Sequence, residues 1–172
     1  MYLVHNTPHL TFAGRHLSPA IAPYDEEWEG AMKRSGSAMW QGDLKNGKGT
    51  VSTESGVLGN QQYSFGTRFE NGKGTNPEEL IAAAHASCFT MALSAQLGNA
   101  GLTPERLETK AVVTLDKLDA GWAVTHIHLD VKGRVPKADQ AAWDKAAQAA
   151  KTGCPISKLL QTTIDMTAKL EG

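Results

Sequence analysis

Cys88 and Cys154 are the two cysteines of this 172-residue chain, and their surroundings differ in what they allow the sulfur to do. A thiolate is a strong nucleophile, and two thiols within reach of each other can alternate with a disulfide. Cys154 stands directly before Pro155, in Gly153-Cys154-Pro155. A proline there reads as the first turn of a helix, whose unpaired backbone N–H groups and positive end favour a thiolate. Cys88 lies in His85-Ala86-Ser87-Cys88-Phe89-Thr90. In so alanine-rich a stretch, a cysteine is equally at home as a small buried hydrophobe. Two cysteines cannot build a dense disulfide scaffold, and a reducing compartment would keep them as thiols. Spacing alone leaves open a redox pair and two inert core thiols.

The elements that would position these sulfurs follow from capping and periodicity. From Ser37 the pattern predicts short strands over 37–43, 49–55 and 61–69, with Asn46-Gly47 as a turn pair. Gly47-Lys48-Gly49 lacks the spacing of a phosphate-binding loop and reads as hairpin. The register changes at Thr75-Asn76-Pro77-Glu78-Glu79. There Asn76 can cap a helix, Pro77 fits its first turn, and Glu79 occupies the reciprocal capping-box position. The alanine-rich run from Leu80 to Leu97 favours helix, and its small side chains permit close packing against another helix or a second copy. Strands are predicted over 109–118 and 122–132, joined at Asp119-Ala120-Gly121. A helix over 138–151 follows, then a short helical segment from Cys154-Pro155 through Leu160. Last, Ile164, Met166, Ala168 and Leu170 alternate with polar residues at the period of a half-buried strand. The order gives an α+β protein without regular βαβ alternation.

Bulk properties narrow the function classes. Seventeen basic against 18 acidic residues leave a formal charge of -1, which gives no support to general polyanion binding. The lysines form no continuous basic run, and scattered tryptophans such as Trp40, Trp122 and Trp143 make no nucleic-acid platform. No run approaches the roughly 20 apolar residues of a bilayer span, so no membrane span is expected. The N-terminus has no basic region followed by an apolar core, so the cytoplasm is the expected location. Residues 1–31 are read as a flexible or loosely packed extension, with Pro8, Pro19, Pro23 and the acidic cluster Asp25, Glu26, Glu27 and Glu29. Residues 32–172 form the expected domain. His126 and His128 point to one strand face, but no third ligand at a suitable spacing accompanies them, so no metal is expected.

Several ordered motifs resemble the OsmC/Ohr family of organic hydroperoxide reductases, its OsmC branch above all. They are Gly49-Thr50-Val51-Ser52-Thr53-Glu54-Ser55-Gly56, Thr67-Arg68-Phe69-Glu70 and Gly74-Thr75-Asn76-Pro77-Glu78-Glu79-Leu80. They continue as Ala84-His85-Ala86-Ser87-Cys88-Phe89 and Gly153-Cys154-Pro155-Ile156-Ser157. The resemblance covers about residues 36–171. It implies an OsmC-like α+β fold, with mixed or antiparallel sheets around long central helices, in an intertwined homodimer with active sites at the subunit interface. It also implies that Cys88 is the peroxidatic cysteine, Cys154 the resolving cysteine, and Arg68 and Glu78 a charged pair around the site.

On this resemblance the chain is a cytoplasmic antioxidant enzyme of the stress response, a thiol peroxidase reducing organic hydroperoxides to alcohols. Cys88 becomes a sulfenic acid, Cys154 closes a disulfide, and an external dithiol, such as a lipoylated protein, restores both thiols. No bound cofactor is implied. Arg68 would stabilise the Cys88 thiolate and the departing oxygen, with Glu78 orienting it. Ten residues separate Glu78 from Cys88, a rise of about 15 Å on one straight helix. Direct contact between the two therefore predicts a helix break near Ala83–Ala86. His85, one turn before Cys88, is read as a structural or supporting histidine. Leu80, Ile81, Phe89, Met91, Leu93 and Phe69 are candidates both for the core and for an apolar peroxide pocket. The alternative is a redox-sensing or apolar-ligand-binding dimer without efficient turnover. A hydrolytic cysteine enzyme finds no supporting His and Asp or Asn arrangement.

Overall fold

The computed structural model describes residues 31–171, so the expected N-terminal extension lies, but for its last residue, outside the described residues. A compact unit runs from Ser35 to Gly172. Its elements are β1 (Gly36–Gln41), β2 (Lys48–Thr53), β3 (Gln61–Ser64), α1 (Phe65–Phe69) and α2 (Pro77–Asn99). They continue with β4 (Arg106–Leu118), β5 (Gly121–Arg134), α3 (Gln140–Gly153), α4 (Pro155–Leu159) and β6 (Thr163–Glu171). The α+β class is as predicted.

Two three-stranded sheets result. In the first, β1-β2-β3, every pairing is antiparallel. In the second, β4-β5-β6, β4 and β5 form a long antiparallel hairpin and β6 joins β5 in parallel after α3 and α4 have crossed over. Asp43 organises the β1–β2 turn by accepting hydrogen bonds from the backbone of Lys45 and Asn46. The left-handed residue of that turn is Gly42, at φ 92°, rather than Gly47. Gly47 is needed for another reason: a Cβ there would run into the carbonyl oxygens of Asp43 and Gln41.

The third strand is shorter than predicted. It stops at Ser64, whose hydroxyl accepts from the Thr67 backbone N–H while the Thr67 hydroxyl accepts from that of Ser64. This reciprocal cap turns residues 65–69 into α1, because satisfying two end donors at once outweighs the strand preference of the aromatic residues. The second helix begins as predicted, with Asn76 accepting from Glu79 N–H at 2.8 Å. The Glu79 carboxylate, however, accepts from the Thr75 hydroxyl at 2.9 Å.

The expected break near Ala83–Ala86 is absent, and α2 is one uninterrupted helix of 23 residues. Alanine-rich sequence has nothing to interrupt the ladder, since breaks need proline, glycine pairs or an inserted group. By length and composition α2 is also apolar enough to cross a bilayer, contrary to the reading from runs alone. Its residues His85, Phe89, Leu93 and Leu97 form one buried stripe at helical spacing. Packed with them are Ile127, Leu129 and Val131 of β5 and Trp143, Ala146, Ala147 and Ala150 of α3. Gly133 makes room for the Trp143 ring, which a Cβ at that position would overlap. The opposite face of α2 exposes Ala84, Ser87, Met91 and Ala95.

Candidate active site

Cys88 sits mid-way along α2 on the flank of the buried stripe, half-buried, while Cys154 is fully buried at the junction of α3 and α4. Both are free thiols, with their sulfurs 3.1 Å apart. That contact joins positions 66 residues apart in sequence, and the packing of α2 against α3 and α4 creates it. Cys154 ends one helix and opens the next: its N–H donates to Ala150 and its carbonyl accepts from Lys158.

The two sulfurs differ electrostatically. Burial alone would raise the Cys154 pKa, but stronger influences in sum hold it below the usual thiol value. These come from the polar groups beside the sulfur, in order the Ser157 N–H, the Cys88 thiol, the Ser157 hydroxyl and the Ile156 N–H, although none of the α4 groups closes a side-chain cap hydrogen bond on it. Those backbone donors are the free first-turn groups of α4, as Pro155 led one to expect. Burial raises the Cys88 pKa, and the hydrogen bond and charge of Cys154 push it the same way, against one opposing N–H from Ile156. Within one chain the first negative charge therefore resides on Cys154. The more accessible sulfur is the poorer acid.

Arg68 and Glu78 form the predicted pair. Arg68 Nη2 lies 2.7 Å from Glu78 Oε1, and its Nε donates to both carboxylate oxygens at 3.2 Å. The fork is largely occupied, yet Nη1 makes no hydrogen bond among the described residues. Helix α1 presents Arg68 and the first turn of α2 presents Glu78. Asn76 ties the two by donating from its side chain to the Thr67 carbonyl at 3.1 Å. Because α2 is continuous, this pair sits near its start, about 15 Å along the axis from the level of Cys88. The guanidinium lies over the Phe69 ring at 5.2 Å from its centroid. Phe69 in turn packs on Phe65 and Trp122.

The pocket candidates divide: Phe69 lines an apolar cleft and Leu80 a smaller one of about 160 Å³, whereas the candidates further along α2 do not. Phe89 and Leu93 are consumed by the core, and Met91 is 75% exposed. The larger cleft, of about 270 Å³, opens beside Arg68, walled by Trp40, Tyr63, Phe65, Phe69 and Pro77. Trp40, Tyr63 and Phe65 are not among the residues that the sequence points to as pocket candidates. Their strand and short-helix positions give no sign that they converge.

His85 is fully buried, and its Nε2 lies 2.8 Å from the Ser157 hydroxyl. It faces the Cys154 side of the site. Ser157 belongs to the Gly153-Cys154-Pro155-Ile156-Ser157 motif, and its position three residues after Cys154, in the first turn of α4, is the signal that points to it. His126 and His128 do have a third polar neighbour, Asp165 on β6, whose Oδ1 lies 3.0 and 2.7 Å from their ring nitrogens. The hydrogen bond from His128 holds the Asp165 carboxyl below its ordinary range. The result is a strand-to-strand tie, and among the described residues no group of three donors is arranged to hold a metal ion.

A family model described as "OsmC-like protein" matches residues 70–169. The chain is 56% identical over 140 residues to peroxiredoxin OsmC of Escherichia coli (strain K12), covering 81% of this chain and 98% of that protein. It is 30% identical over 100 residues to an organic hydroperoxide resistance protein of Xanthomonas axonopodis pv. citri, covering 58% of this chain and 68% of that one. The fold matches the crystal structure of the organic hydroperoxide resistance protein OhrB of Bacillus subtilis at a TM-score of 0.58 and 24% identity. That match covers 80% of this chain and 98% of the other. It also matches an OsmC-like protein from Mycoplasma pneumoniae at a TM-score of 0.65 and 14% identity, over 82% and 99% of the two chains.

Proposed function

The chain belongs to the OsmC-like protein family, and we propose that it reduces organic hydroperoxides to alcohols by a two-cysteine cycle. It is a peroxide-detoxifying enzyme of the peroxidase class. The observation that carries the two-cysteine cycle is the pair of free thiols at 3.1 Å, one half-exposed and the other fully enclosed.

Cys88 has access to substrate and Cys154 does not, which divides their roles. In the singly ionised pair, the Cys88 proton passes along the S–H···S contact to Cys154, leaving the outer sulfur as thiolate. That sulfur attacks one oxygen of the peroxide; the O–O bond breaks, and the departing alkoxide takes a proton to become alcohol. Cys88 is left as sulfenic acid. Cys154 then attacks it, forming an S–S bond while the S–O bond breaks and water leaves. An external dithiol, with a lipoylated protein as the candidate, reduces the disulfide by exchange.

The proton transfer runs uphill within one chain, because Cys88 is the weaker acid. A cation beside Cys88 would reverse that order. Arg68 is the candidate cation, held by Glu78 on the wall of an apolar cleft suited to a carbon tail. Since the unbroken α2 keeps this pair far from the Cys88 of its own chain, the reading assigns it to the Cys88 of a second copy in a homodimer. The exposed Ala84, Ser87, Met91 and Ala95 face of α2 supports that assembly.

The test adds stoichiometric cumene hydroperoxide, with hydrogen peroxide as control, and counts thiols and alcohol. One alcohol per two thiols lost, with a Cys88–Cys154 disulfide, is the expected outcome. The raised Cys88 pKa favours one second reading, a slow redox sensor. Oxidation without recycling by any dithiol would select the sensor.

A further inference from the structure

We propose that Tyr63 sets the length of hydroperoxide tail the site accepts, its ring standing as a wall between the Arg68 cleft and a second apolar cavity. The inference rests on the reading above that a carbon tail lies in that cleft. It names the class of tail: compact alkyl or aryl rather than long-chain.

The wall follows from the register of the first sheet. Trp40 pairs with Gly49 and Gly49 with Tyr63, so the three form one row across β1, β2 and β3. Paired residues project to the same face, so two aromatic side chains flank a position that has none. The ring centroids of Trp40 and Tyr63 are 5.4 Å apart. A Cβ at Gly49 would stand 2.5 Å from the Tyr63 ring, so the absence of a side chain there gives the ring its place. Trp40 beside it and Gly49 beneath it together fix where Tyr63 stands.

Two residues along each strand, and therefore on the same face, Ala38 pairs with Val51. Both line the smaller cavity of about 160 Å³, together with Leu80 of α2. The larger cleft of about 270 Å³ contains Arg68 and Trp40 instead. Tyr63 and Pro77 line both spaces. Pro77 is held by the start of α2, which leaves the Tyr63 ring as the part of the wall that a side-chain change can remove.

Size then selects the substrate. Pockets that bury drug-sized molecules begin at about 300 Å³, so the Arg68 cleft suits an aryl or short alkyl tail. Each methylene buried there improves binding about fourfold, and that gain stops where the tail meets the ring. Behind the ring, the smaller cavity has space for several more groups of water size, each taking about 30 Å³.

The experiment uses the full chain and primary alkyl hydroperoxides from butyl to dodecyl. These share one reacting end and carry no carboxylate for Arg68 to bind. The readout is the second-order rate constant for Cys88 oxidation against tail length. In the unmodified chain it should rise with length and then level off. Tyr63→Ala should extend the rise, favouring dodecyl over butyl by about fifteenfold more than before, the worth of two further buried methylenes. Tyr63→Phe keeps the ring and should keep the original limit. Ala38→Phe added to Tyr63→Ala should refill the opened space and restore that limit, which a general loosening of the sheet would not allow. Tyr63→Val, a residue suited to a strand, gives the same readout if the alanine variant does not fold.

An identical limit with and without the ring overturns the proposal. So does an uninterrupted rise to dodecyl in the unmodified chain, or a gain that Ala38→Phe leaves in place. Equilibrium binding of the matching alcohols, butanol to dodecanol, reads the same limit without any reaction. If none of the peroxides oxidises Cys88, the two-cysteine reading falls, and the alcohol affinities alone decide the role of Tyr63.

Discussion

The sulfur pair and the Arg68–Glu78 pair are each assembled within one chain, but they are built differently and lie apart. Packing of α2 against α3 and α4 brings the sulfurs together and encloses that of Cys154, with the polar first turn of α4 beside it. The ion pair is a surface construction at the start of α2: side-chain exposure is 37% for Arg68 and 13% for Glu78. Such a pair contributes little to stability, since solvent screens it and two long side chains must be ordered. Its worth lies in holding a guanidinium against an aromatic cleft. The thiol site has the nucleophiles without the cation, and the ion-pair site has the cation without a nucleophile. An unbroken helix holds them about 15 Å apart along its axis.

Removing the outer sulfur gives the largest effect. Cys88→Ser should reduce peroxide turnover to the level without enzyme in a coupled dithiol assay. Cys154→Ser should allow one equivalent of alcohol and then stop, with Cys88 recovered as sulfenic acid or a higher oxide. Equal behaviour of the two variants would erase the asymmetry between the thiols.

Removing the cation tests the other region. Arg68→Ala should lower the rate of the first attack by about 10²–10³-fold, the usual effect of losing a charged donor at a developing anion. Arg68→Lys should recover only part of that, because a lysine keeps the charge but not the fork. A wild-type rate for Arg68→Ala would show that the two regions do not work together.

Mixing inactive variants decides whether they meet across copies. Cys88→Ser and Arg68→Ala chains, refolded together in equal amounts, should regain about a quarter of the wild-type activity. Random pairing makes half the dimers mixed, each with one complete site of two. No recovery would place Arg68 and Cys88 in the same chain's site.

The smallest effect concerns the buried histidine. The folded chain resists protonating His85, so the unfolded chain takes up that proton first as pH falls. The contribution is fully present above the ordinary histidine value of 6.5 and declines as pH drops through it towards the lower folded value. Thermal melts from about pH 7.5 to about 5.5 should show this decline, and His85→Leu should flatten it.

Much of this was legible in the residues. The cap at Asn76 and Pro77, the hairpin around Asp119-Ala120-Gly121, the helix start after Cys154 and the alternation of β6 are local patterns with local causes. The Arg68–Glu78 pair was legible through the resemblance. What could not be read were consequences of packing. The reciprocal cap of Ser64 and Thr67 converts the end of a predicted strand into α1, and that turn aims Arg68. The expected break in α2 arose from requiring Glu78 to reach the sulfur of its own chain; the alanine-rich sequence itself argued for continuity. Likewise α2 passes for a membrane span by composition, and only its stripe of His85, Phe89, Leu93 and Leu97 against β5 and α3 shows it as a core helix.

The sequence by itself determined that Cys154 opens a helix, that Cys88 lies within another, and that an arginine and a glutamate accompany them. Tertiary structure decided which thiol is enclosed, which one carries the first charge, and which histidine nitrogen meets Ser157. Helix starts and caps depend on neighbours a few residues away, so the chain spells them out. The 3.1 Å contact of two sulfurs depends on how three helices pack, and that geometry is settled only when the core closes around Phe89, Ile127 and Trp143.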